Sequence, residues 1–93
     1  MNMLADEKII EIAKRVATAN NVSFANVMMA PAIDSTGAEA IELKFVLTPG
    51  SSGTIMGERS ARTVSQVIQK LADAGEERFP IVRYEEEVVS PRS

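Results

Sequence analysis

Apolar residues recur along this chain with two different periods, and the places where the period switches mark out its elements. Over residues 4–20, Ala5, Ile9, Ile12, Ala13 and Val16 stand at i, i+4, i+7, i+8 and i+11, the stripe of an amphipathic helix. Asp6 and Glu7 fall in its first turn and Lys14 and Arg15 in its last, an order that complements the helix dipole, and Asn20-Asn21 offers a left-handed stop. Residues 25–33 carry Val27, Met28, Met29 and Ile33 in an extended run whose Pro31 cannot donate to a ladder, which predicts a sheet edge or a bulge there. Asp34-Ser35-Thr36-Gly37 reads as a hairpin turn. Beyond it Ile41, Leu43, Phe45 and Leu47 alternate with Glu42 and Lys44, a half-buried strand that the Pro, Gly and Ser cluster of residues 48–53 ends.

The helical period then returns with Ala61, Val64, Ile68, Leu71 and Ala72, a stripe widened by Val67. Glu58 near its start and Lys70 toward its end suit the dipole, and Gly75 stands where a helix-terminating glycine belongs. Pro80 opens a last extended run, residues 81–86, with Val82 and Tyr84 on one face and Ile81 and Arg83 on the other. Residues 88–93 are expected to form a disordered tail. The order α-β-β-α-β predicts an α+β domain, a three-stranded sheet with both helices packed on one face. Its hairpin is antiparallel, and a third strand parallel to the second requires a right-handed crossover through the second helix.

Length and composition narrow this picture. Splitting 93 residues into two domains would leave each under about 50, near the limit for unaided folding, so one domain over residues 1–93 is expected. The chain has no Cys, hence no disulfide and no thiolate chemistry, and no His, so the usual zinc sites lose both main ligand types. No apolar run approaches the ~20 residues of a membrane span, and a cytoplasmic location is expected. The formal charge of −3 weighs against a general electrostatic grip on nucleic acid or an anionic membrane. A three-stranded sheet covered on one side leaves a face and two edges open, which points to a homo-oligomer or a protein partner.

Candidate chemistry is sparse. Gly50, Gly53 and Gly57 lie between a strand and a helix that begins with Arg59 and Arg62, and backbone N–H groups with two guanidiniums would hold an anion. The loop lacks the GK[ST] ending of a P-loop, and Glu58 already occupies the positive dipole end, so a flexible turn with solvated arginines is the plainer reading. Glu85, Glu86 and Glu87 alternate sides in an extended strand and cannot converge on one atom. Ser51, Ser52 and Ser60 have no His to activate them, and nothing in the sequence sets Lys44 or Lys70 against a serine. No catalytic residue, metal or cofactor is therefore expected. Phe79 is expected to cap the core while Pro80 starts an edge strand; the competing account makes Phe79 and Tyr84 an exposed stacking pair. Met28 and Met29 face opposite sides, one toward the core and one outward, and Met28, Met29 and Tyr84 are the candidate interface residues.

The helix of residues 4–20, the hairpin through Ile41 and Leu47, the second helix and the strand of residues 81–86 together resemble the KH-like arrangement of ribosome-binding factor A, over residues 4–86. Gly50-Ser51-Ser52-Gly53 here follows a strand, where a KH domain carries its GxxG between two helices. The resemblance implies binding of single-stranded RNA, with Arg59, Arg62, the loop of Gly50, Gly53 and Gly57, and Arg83 as contacts. The stretch from Gly57 and Glu58 to Gly75, with Arg78-Phe79-Pro80-Ile81-Val82-Arg83, is also similar to small bacterial αββαβ proteins that carry no assigned activity. The expected function is a small non-catalytic interaction module, self-associating or an accessory subunit, with the RNA-binding reading as its alternative.

Overall fold

The strand with the cleanest alternation becomes the centre of the molecule. The computed structural model describes residues 4–50 and 57–87, so Ser51, Ser52, Gly53 and the tail of residues 88–93 lie outside the described residues. Its elements are α1 (Asp6–Ala19), β1 (Phe24–Ile33), β2 (Glu39–Leu47), α2 (Glu58–Asp73) and β3 (Phe79–Glu86). The sheet order is β1-β2-β3, with β1 and β2 antiparallel and β2 and β3 parallel. The fold is thus a small α+β domain with a mixed three-stranded sheet, as the periodicities predict. Ile41, Leu43, Phe45 and Leu47 of β2 are fully buried, and they form one cluster with Ile9, Ile12, Ala13 and Val16 of α1 and Val67 and Leu71 of α2. Each large apolar side chain so buried contributes roughly 1.5–3 kcal/mol. Glu42 and Lys44 point the other way, and both helices therefore cover a single face.

The Asp34 carboxylate organises the hairpin turn by accepting hydrogen bonds from the Thr36 and Ala38 N–H groups and from the Thr36 hydroxyl, while Gly37 takes φ of 86°. Those bonds to the charged form, the Thr36 hydroxyl first among them, hold the Asp34 pKa below its ordinary value. Pro31 lies on an edge strand, as expected, but the bulge falls between Phe24 and Asn26. At the end of α1, Asn20 is the C-cap and Asn21 adopts φ of 59°, the left-handed stop read from the sequence. The helix runs on to Ala19, so Lys14 and Arg15 lie short of the last turn, which holds no basic residue.

Two expectations are corrected. The buried stripe of α2 is rotated: Thr63, Val67 and Leu71 are buried while Ala61 and Ala72 are exposed. Burying a methyl gains little, and Thr63 enters the core cheaply because its hydroxyl donates to the Arg59 carbonyl at 2.9 Å. Phe79 does not cap the core, nor does it stack with Tyr84. Register pairs Pro80 with Ile41 and Phe79 with Ala40, so Pro80 turns inward and Phe79, 53% exposed, turns outward. Tyr84, five residues on, faces the core and stacks on Phe45 with ring centroids 5.6 Å apart.

Candidate functional site

The glycine and arginine candidates divide between the start of α2 and the sheet, and Gly53 lies outside the described residues. Gly50 takes φ of 82° and its N–H donates to the Glu86 carboxylate at 2.9 Å, so a protein carboxylate already holds the donor an anion would need. Gly57 is the N-cap of α2, with φ of 62° and ψ of −127°, and brings no side-chain cap. Arg62 lies 3.8 Å from Glu58 on the exposed side of α2, and Arg59 is half-buried. Arg83 stands elsewhere, on the sheet face opposite the helices, 3.2 Å from Glu42. The sheet therefore separates Arg83 from the start of α2.

That open face is the most distinctive surface of the molecule. The ladders set Met28, Lys44 and Arg83 in one row across the three strands, Ala30, Glu42 and Ile81 in the next, and Ala32, Ala40 and Phe79 beyond. On the other side of the Lys44 row lie Asn26, Val46 and Glu85. The Phe79 end is thus apolar, with Phe79 about half exposed, while half-exposed Met28 shares its row with the charged residues of Glu42–Arg83 at 3.2 Å and Lys44–Glu85 at 3.6 Å. Exposed pairs of this kind add little stability but fix which charges stand next to which. Of the candidate interface residues only Met28 lies exposed here; Met29 and Tyr84 pack against the core. Sequence reading did not count Glu42, Lys44, Ile81 and Glu85 among the interface residues, although the alternation of β2 and β3 already places them with Arg83 on the face away from the core.

The described residues with unusual ionisation serve the fold. Glu76, whose side chain is closed to water, accepts hydrogen bonds from the Leu4 N–H and from the Arg78 N–H, Nε and Nη2, all at 2.9–3.1 Å. The Arg78 guanidinium, followed by the backbone donors, pulls its pKa down to about 2 against the opposing effect of burial. This clasp ties the start of α1 to the segment before β3, and its donors leave no lone pair aimed at a ligand. No sequence pattern announces it, since Glu76-Glu77-Arg78 reads as a solvated loop. Tyr84 donates its hydroxyl to the Ser60 carbonyl at 3.3 Å, and burial raises its pKa. Among the described residues no group of acidic side chains converges to hold a metal, and no helix is long and apolar enough to cross a membrane. No family model, curated protein or solved structure matches the chain.

Proposed function

We propose that the protein is a small non-catalytic interaction module, self-associating or acting as an accessory subunit, whose working surface is the open face of the sheet and its free edges. The observation that carries this reading is the exposure of Phe79 beside Ile81 and Ala32 at one end of the open face, bordered by the Glu42–Arg83 and Lys44–Glu85 pairs, with Met28 exposed on β1 beyond them. An apolar patch rimmed by charge is the composition of a protein contact surface. The absence of His and Cys supports a non-catalytic role, as does the use of Glu76 and Tyr84 in structural hydrogen bonds. The test is sedimentation over a wide concentration range together with a nuclease-treated pull-down using wild type and Phe79→Glu, a change at an exposed position. Self-association, or a protein retained by wild type and released by Phe79→Glu, supports the reading. A strict monomer with no Phe79-dependent protein overturns it, and RNA lost on nuclease treatment would turn attention to the KH-like alternative.

A further inference from the structure

We infer that a second copy of this chain pairs antiparallel along β3, with a two-fold axis at Tyr84, to build a six-stranded sheet. The inference rests on the interaction-module reading and names the partner and the contact. Its starting point is the difference between the two edges of the sheet.

The β1 edge is blunted. Asp34 N–H donates to the Ala38 carbonyl, and alternation along an antiparallel ladder then turns the backbones of Ala32, Ala30 and Met28 toward β2 and those of Ile33, Pro31, Met29 and Val27 outward. Pro31 has no N–H to offer. The Val27 N–H is taken by the Asn26 side chain at 2.9 Å, and the bulge between Phe24 and Asn26 breaks the run. Such features keep a strand from templating another.

Among the described residues the β3 edge carries no comparable obstacle between Ile81 and Tyr84. Glu87 N–H donates to the Leu47 carbonyl, so in the parallel ladder Glu85, Arg83 and Ile81 bond to β2 while Pro80, Val82 and Tyr84 turn their backbones outward. Pro80 lies at the strand start, and Val82 and Tyr84 then present N–H and C=O groups in regular alternation. Charge selects the register. With the axis at Tyr84 the two Tyr84 residues exchange backbone hydrogen bonds, and Arg83 of each copy lies directly opposite Glu85 of the other on the open face. The pairs already present extend across the join as Glu42, Arg83, then Glu85 and Lys44 of the second copy, alternating in sign and repeated by symmetry. Moving the axis by one residue sets Arg83 against Arg83 or Glu85 against Glu85, an unfavourable opposition.

The experiment is sedimentation equilibrium on the full chain with Arg83→Glu, Glu85→Arg and their equimolar mixture. Wild type is expected to dimerise, and each single variant to weaken its dimer at least tenfold, because like charges then oppose twice. The mixture is expected to recover a heterodimer, since the Arg83→Glu chain is acidic at both positions, the Glu85→Arg chain is basic at both, and opposite charges therefore meet in each of the two contacts. That recovery also shows that both variants are folded. Single variants that dimerise like wild type, or a mixture that stays monomeric while wild type dimerises, overturn the β3 pairing and leave the interaction-module reading standing. A wild type that stays monomeric at high concentration also overturns the pairing, and the Phe79-dependent pull-down then decides the broader reading on its own.

Discussion

Four hydrogen bonds converge on the Glu76 carboxylate from Leu4 and Arg78, and its side chain is fully buried, so its charge is anchored by geometry as well as by the guanidinium. Removing that charge leaves the Arg78 guanidinium, only 11% exposed, without its partner. Glu76→Gln is expected to lower unfolding free energy at neutral pH by about 2–4 kcal/mol, read from urea denaturation. The pH dependence has a definite sign. Folding depresses this pKa from the ordinary 4.5 to about 2, so the folded state holds the ionised form more tightly than the unfolded chain does. The resulting stability is fully present above about pH 4.5 and is lost as pH falls toward 2, a change on the order of 3 kcal/mol. The gap between wild type and Glu76→Gln should therefore close across that window, and two pH curves that run parallel would sink the assignment.

α2 is held at its start by backbone conformation and along its length by one face, and each has its own test. Gly57 sits at φ of 62° and ψ of −127°, a region closed to residues with a Cβ, yet a Cβ there would meet no atom of the described residues within 4 Å. Gly57→Ala is expected to cost about 1–3 kcal/mol purely through backbone strain, seen as a lower thermal midpoint with an unchanged far-ultraviolet spectrum. The rotated stripe predicts opposite fates for neighbours in sequence: Leu71→Ala should cost about 2–5 kcal/mol, while Ala72→Lys should stay within about 0.5 kcal/mol. Equal effects in urea titrations would contradict the rotation. The elements themselves were legible because β2 alternates from Ile41 to Phe45 and α1 keeps one stripe. The face of α2 was not, because apolar counting weighs Ala61 above Thr63 although a threonine bonded to its own helix is easily buried. Phe79 misled for the converse reason: register with Ala40 and Ile41 decides its side, and register is not written in the local sequence. The partner of the Gly50 N–H was hidden at the same level, since Gly50 and Glu86 meet 36 positions apart and no local motif links them.

At the scale of the whole molecule the two sheet edges should differ in how their amides respond to concentration. β2 lies between two partners, so its amides are bonded on both sides and should be the slowest of the sheet to exchange with deuterium at any dilution. Outward amides on β1 have no such protection: Met29 and Ile33 should exchange fast at every concentration, with Val27 slowed by its bond to Asn26. On β3 the outward amides of Val82 and Tyr84 should exchange as fast as Met29 in a dilute sample and slow markedly when the protein is concentrated, because a second copy then supplies their acceptors. Arg83 and Ile81, bonded to β2 within the chain, should change far less. Residue-resolved exchange by nuclear magnetic resonance at two concentrations reads this alternation directly. In the Arg83→Glu variant the concentration dependence at Val82 and Tyr84 should vanish while the protection of β2 persists. Protection that instead grew on Met29 would move the contact to β1, and protection growing on neither strand would leave the open face around Phe79 to carry any association by its side chains alone.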